Sequence, residues 1–220
     1  MNVRSNTPAA DATRRPGPLP VIANPAKVWS VAVYCGSNAG VDPSFRAAAT
    51  SFGRMLAGRG IRLVYGGGRV GLMGLVADAA LAEGGQVHGV ITRALEGKEP
   101  AHPGLTSLEV VDTMHQRKAA MADLADGFVM LPGGFGTLDE FFEVVTWTQL
   151  GVHAKPCGLL DVNGFFASLG AFLDGAVGHG FIRAEHREML ITESDPDALI
   201  DRLTSWEPIA IDKWLDRSER

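Results

Sequence analysis

A chain of 220 residues with 46% hydrophobic content is long enough to bury one sizeable core. Its formal charge of -5 and pI near 5.7 give no electrostatic basis for gripping nucleic acid. No apolar stretch is long enough to span a membrane, and residues 1–27 lack the apolar core of a signal peptide, so a cytoplasmic protein is expected.

Residues 1–27 are rich in Pro, Ala and Asn and read as a disordered tail. The regular pattern begins with the β-branched run "KVWSVAVYC", which ends in the turn "GSNAG". "DPSFRAAATSFGRMLAGRG" reads as a helix, with Asp42 as N-cap, Pro43 in the first turn and Gly60 at the end. "IRLVY" is a second strand, "GGGRVG" a turn, "LMGLVADAALAEGG" a helix and "QVHGVI" a third strand. Residues 92–107 read as an irregular polar loop. "LEVVD" and "GFVMLP" are strands on either side of the helix "TMHQRKAAMADLAD". "LDEFFEVVTWTQLG" is a helix, "KPCGLLD" a strand, "GFFASLGAFLDGAVGHG" a helix and "EMLITES" a short last strand. "DPDALIDRL" repeats the Asp-Pro helix start.

Short strands that are apolar on both faces and alternate with helices predict an α/β fold, a parallel sheet covered on both sides. Residues 28–205 read as one domain, without internal repeats, and 206–220 as a C-terminal tail. In such sheets ligands bind outside the strand C-termini, and the glycine-rich turns 36–40, 66–71 and 133–136 all fall there. Three such turns on one edge favour a nucleotide or another phosphate ester.

Gly66-x-Gly68-x-x-Gly71 fits the local context of a dinucleotide fingerprint. The strand that should supply a ribose-binding acid ends instead at Thr92, which argues against NAD. The open readings are a tight turn with close helix–strand packing, or a phosphate or sugar contact to another ligand. "PGGFGT" is not a Walker A loop, because no Lys-Ser/Thr follows its glycines. The amides of Gly133, Gly134, Phe135, Gly136 and Thr137 can still converge on an anion at a helix N-terminus. Thr137-x-x-Glu140 is equally a capping box, and both readings stand.

A carboxylate beside a phosphate pocket repels phosphate. If Glu140 acts on a ligand, it acts on ribose hydroxyls, a water or a developing positive charge. That points to sugar chemistry rather than phosphoryl transfer, which also wants metal ligands and a catalytic lysine. In "MHQRKAAM", Arg117 and Lys118 lie on an otherwise apolar helix. They are either a solvated face or, in the sharper reading, Arg117 clamps a phosphate or pairs with Glu140. Six histidines without an HExxH pattern and two separated cysteines, Cys35 and Cys157, predict no metal site and two buried free thiols.

The residues also carry a resemblance. "PGGFGTLDE" fits PGG-x-GT-x-x-E, and with "MHQRKAAM", "VYGGGRVGLMG", "CGS" and "KPCGLLDVNGFF" it resembles the Lonely Guy family of cytokinin riboside 5′-monophosphate phosphoribohydrolases. The resemblance spans about residues 28–205. It implies a Rossmann-like doubly wound sheet, a homodimer with active sites near the subunit interface, and hydrolysis of the N-glycosidic bond of a nucleoside 5′-monophosphate. It also implies catalytic roles for Arg117 and Glu140, and substrate contacts at Glu99, Lys118, Gly133 to Thr137 and Thr146, with no cofactor. Asp139 stands where the family often has glutamate. The physics fits: an oxocarbenium-like state is stabilised by a nearby carboxylate. Arginine stays protonated at neutral pH, so Arg117 is expected to act by charge and position.

Two other classes compete. One is a non-catalytic carrier of a nucleotide or molybdenum cofactor. The other is an NAD-dependent enzyme. The label "possible lysine decarboxylase" that such sequences often bear would require pyridoxal phosphate on a Schiff-base lysine, and none of the five lysines has a supporting constellation.

Overall fold

The computed structural model describes residues 30–96 and 101–208. The expected N-terminal tail, Glu99 and residues 209–220 lie outside the described residues. The strands are β1 (Ser30–Tyr34), β2 (Arg62–Tyr65), β3 (Val87–Thr92), β4 (Ser107–Val111), β5 (Gly127–Met130), β6 (Cys157–Leu160) and β7 (Leu190–Glu193). The helices are α1 (Pro43–Gly58), α2 (Gly71–Ala82), α3 (Arg93–Glu96), α4 (Met114–Leu124), α5 (Phe135–Leu150), α6 (Ala167–Gly178), α7 (Ala184–Glu188) and α8 (Pro196–Thr204).

Every pairing in the sheet is parallel, in the order β4-β3-β2-β1-β5-β6-β7. This is the expected doubly wound α/β architecture. Alternation along each strand divides the core. Val31, Val33, Leu63, Tyr65, Val129 and Leu131 pack with α1, α2 and α8. Ala32, Tyr34, Val64, Phe128 and Met130 pack with α4, α5 and α6. Period-2 side chains on central strands meet a helical layer on each face, so both faces are apolar.

The two Asp-Pro starts hold: Asp42 accepts the Ser44 N–H at 2.8 Å, and Asp195 accepts the Ala198 N–H at 2.9 Å. The stretch read as a loop, 92–107, contains the short helix α3, with the Thr92 hydroxyl accepting the Leu95 N–H at its start (3.2 Å). Helix α7 was also not anticipated. Cys35 and Cys157 are buried free thiols.

His153 is 7% exposed and lies against Phe128 and Trp147, with ring centroids 5.1 and 6.3 Å away. Burial, aided by the Lys155 charge, lowers its pKa from 6.5 to about 4. The folded value lies below the unfolded one. The stability this neutral imidazole represents is therefore present above pH 6.5 and is lost as pH falls towards about 4. Urea midpoints should drop across that window in the wild type and drop less in His153→Gln; equal drops would contradict this.

Candidate functional site

The sheet order reverses at β1, whose neighbours are β2 and β5. The chain leaves β1 and β5 in opposite directions, so the loops after them part and open a crevice. A cavity of about 550 Å³ fills it. Its walls are the turns 36–40 and 133–137, Arg117 and Glu140, with Met73, Ile91, Leu95 and Met114 on an apolar side. Phe45 and Phe165, edge-to-face at 5.5 Å, add aromatic surface.

Backbone bonds fasten the loops to one another. The Gly36 N–H donates to Pro132 O (3.0 Å), and the Leu72 N–H donates to Gly36 O (2.9 Å). Gly71, at φ +65°, lets α2 begin against the Ser37 backbone, where a Cβ would come within 2.3 Å. Gly71 thus serves close packing, the first of the two readings kept open, while Gly66 lines the cavity.

Helix α5 begins at Phe135, earlier than expected, with Gly134 as N-cap and no side-chain cap. Its first turn bond is from the Leu138 N–H to Gly134 O (3.0 Å). The N–H groups of Phe135, Gly136 and Thr137 belong to the opening turn, where intrahelical acceptors are lacking. The Thr137-x-x-Glu140 capping box is therefore not formed: Thr137 lies inside the helix, and Glu140 is engaged elsewhere. The box exists on α4 instead. The Thr113 hydroxyl accepts the Gln116 N–H (3.2 Å), and Gln116 Oε1 accepts the Thr113 N–H (3.0 Å). Thr113-x-x-Gln116 was legible as that pattern.

This cap fixes the start of α4 one turn ahead of Arg117. Arg117 is not on a solvated face but is 5% exposed. Its Nε donates to Val90 O at 2.9 Å, and its Nη1 donates to Glu140 Oε1 at 2.5 Å. Gly66 makes room for it: a Cβ there would sit 2.0 Å from Arg117 Nη2. Of the readings kept open for Arg117, the pair with Glu140 is present, and it lines the pocket.

Burial pushes the Glu140 carboxyl above its ordinary range, and the Arg117 charge and hydrogen bond pull back only part of that rise. The result is a desolvated carboxylate, more basic than usual, with its counterion in place. Such a group is suited to accept a hydrogen bond from a hydroxyl or water, and to face a developing cation.

Lys118 is also buried, at 6%, yet it does not line the pocket. Its Nζ reaches Asp139 Oδ2 (3.1 Å) and Glu143 Oε2 (2.9 Å) on α5. Burial opposes its charge, but those two carboxylates outweigh burial and raise its pKa. Thr146 is exposed, and its hydroxyl donates to Phe142 O (2.7 Å) within α5. The structure thus brings Arg117, Gly133, Gly134, Phe135, Gly136, Thr137 and Glu140 together, and leaves Lys118 and Thr146 outside. Gly66 was not foreseen as the host of Arg117, nor were the apolar wall residues.

The family described as possible lysine decarboxylase matches residues 73–203. The probable cytokinin riboside 5′-monophosphate phosphoribohydrolase LOGL9 of Oryza sativa subsp. japonica is 48% identical over 179 residues, 81% of this chain and 79% of that protein. The cytokinin riboside 5′-monophosphate phosphoribohydrolase LOG7 of Arabidopsis thaliana is 47% identical, over 81% of this chain and 82% of its own. Among solved structures, the molybdenum cofactor carrier protein of Chlamydomonas reinhardtii is 19% identical with a TM-score of 0.60, covering 78% of this chain and 93% of its own. The molybdenum cofactor binding protein of Rippkaea orientalis is 20% identical with a TM-score of 0.59, covering 80% of this chain and 95% of its own. These two share the fold. With relatives of this identity across four-fifths of its length, the chain belongs to the Lonely Guy family of cytokinin riboside 5′-monophosphate phosphoribohydrolases.

Proposed function

We propose that this protein hydrolyses the N-glycosidic bond of a nucleoside 5′-monophosphate, AMP or a cytokinin riboside 5′-monophosphate, to free base and ribose 5-phosphate. The observation that carries the reading is the buried Arg117–Glu140 pair in the wall of the switch-point cavity, which the opening turn of α5 also lines. Family membership and the relatives' activities support it.

The 5′-phosphate sits on the amides of Gly133 to Thr137, where backbone donors and the helix dipole favour an anion. Glu140 then meets the ribose. As the C1′–N bond lengthens, the sugar gains positive charge, which the desolvated carboxylate stabilises. Glu140 also holds the ribose hydroxyls or the attacking water. Water oxygen bonds to C1′, one of its protons is lost, and the base departs with the bonding electrons and takes up a proton. Arg117 fixes Glu140 and places positive charge beside the departing base or the phosphate. Lys118, by its ion pairs to Asp139 and Glu143, supports α5 from outside the cavity.

The carrier reading has weaker support, because likeness to the molybdenum cofactor proteins at 19–20% identity is likeness of fold. For the decarboxylase label, the two described lysines are Lys118, in its ion pairs, and Lys155, which donates to Ala122 O (2.7 Å). Neither lines the cavity. A homodimer is part of the proposal, as the family resemblance implies. Sedimentation should give twice the chain mass.

The phosphate assignment is tested with AMP against adenosine. Base release from AMP should exceed that from adenosine by about a hundredfold or more in kcat/KM, since the missing phosphate removes its remote binding energy. Equal values would overturn the assignment.

A further inference from the structure

The turn that hosts Arg117 is itself held from a second direction. Ala101 forms an antiparallel bridge with Gly68, and the His102 N–H donates to Gly67 O at 3.0 Å. The His102 side chain is 7% exposed. The Gly104 N–H donates to its Nδ1 at 3.1 Å. A backbone N–H is only a donor, so Nδ1 must present a lone pair and the ring proton resides on Nε2. That proton points to Asp78 Oδ1, 2.9 Å away. Asp78 lies on α2, the helix that leaves the same glycine turn.

The turn is thus tied to α2 by its own chain and again through His102 and Asp78. On its other side it bears on the reacting groups. Gly66 abuts Arg117 Nη2, and Arg117 Nε is bonded to Val90 O. A shift of the turn by a few tenths of an ångström would be felt at the guanidinium, which has no slack between Val90 and Glu140. Surface His–carboxylate pairs ordinarily contribute little. This one differs because the ring is buried and both nitrogens are committed.

We propose that His102, oriented by Asp78, is a positioning residue for Arg117. It acts through the turn 66–68 to set the Arg117–Glu140 pair against the glycosidic bond. The proposal rests on the hydrolase reading above.

The test is base release from AMP by the full chain carrying Asp78→Ala, Asp78→Asn or His102→Ala. Asp78 is exposed on α2, so its replacement leaves the core intact even if His102→Ala folds poorly. In Asp78→Ala and in folded His102→Ala, kcat should fall about tenfold while KM stays within about twofold, because misalignment acts on the transition state. Asp78→Asn keeps an acceptor for Nε2–H and should retain the wild-type rate. In an Arg117→Lys background, Asp78→Ala should add little further loss, since both changes act through one group. Wild-type kcat in Asp78→Ala, or losses that multiply in full with Arg117→Lys, would overturn the proposal while leaving the hydrolase reading in place. A wild-type protein that releases no base would overturn both.

Discussion

Glu140→Gln should lower kcat for base release from AMP by roughly a thousandfold, the scale of removing one preorganised electrostatic partner of a transition state. Glutamine keeps the volume and leaves an acceptor for Arg117 Nη1, so the fold should survive, although the buried guanidinium loses its counterion. AMP should still bind, because the proposal places its phosphate on the amides of Gly133 to Thr137 and not on the carboxylate. The measurements are single-turnover base release, calorimetric AMP binding and a thermal melt. A variant that binds AMP and turns over at the wild-type rate would remove Glu140 from the mechanism.

Gly66→Ala should cost about a hundredfold in kcat, on the scale of displacing a reacting group by an ångström. The methyl would lie 2.0 Å from Arg117 Nη2 and 3.2 Å from Cζ. A flexible arginine could swing aside, but this one is bonded to Val90 O and to Glu140, so yielding to the methyl breaks the pair. Gly66 is not among the positive-φ glycines, so alanine meets no backbone penalty there. The loss would therefore report the guanidinium and not the turn conformation. Unchanged kcat would show that Arg117 has room to move and that its placement does not limit the reaction.

Much of the fold could be read from residue patterns. Seven apolar stretches separated by helices predicted a covered parallel sheet, and the Asp-Pro pairs marked two helix starts. The strand order could not be read, because it depends on which strands meet in space, and it is the order that makes the crevice. Helix α3 was hidden in a polar stretch whose local Thr92 contact gives no periodic signal.

Within the site, pairing with Glu140 was one of the roles the sequence offered Arg117, beside a phosphate clamp and a solvated face. The positions of their neighbours were not legible. Lys118 follows Arg117 but points about 100° further round the helix, towards α5 and away from the cavity. Thr146, six residues beyond Glu140, is rotated by about 240° and faces outward. Motif adjacency on a helix does not mean a shared face. The capping-box pattern was likewise ambiguous at Thr137 and overlooked at Thr113, because a pattern alone does not say where the helix begins.

Product analysis with purified protein tests the central claim most directly. Supplied with AMP and, separately, with isopentenyladenosine 5′-monophosphate, the wild-type chain should yield free base and ribose 5-phosphate in equal amounts from at least one of them, over many turnovers. Tight nucleotide binding by folded protein, with neither product formed from either nucleotide, would contradict the account and leave a carrier in its place.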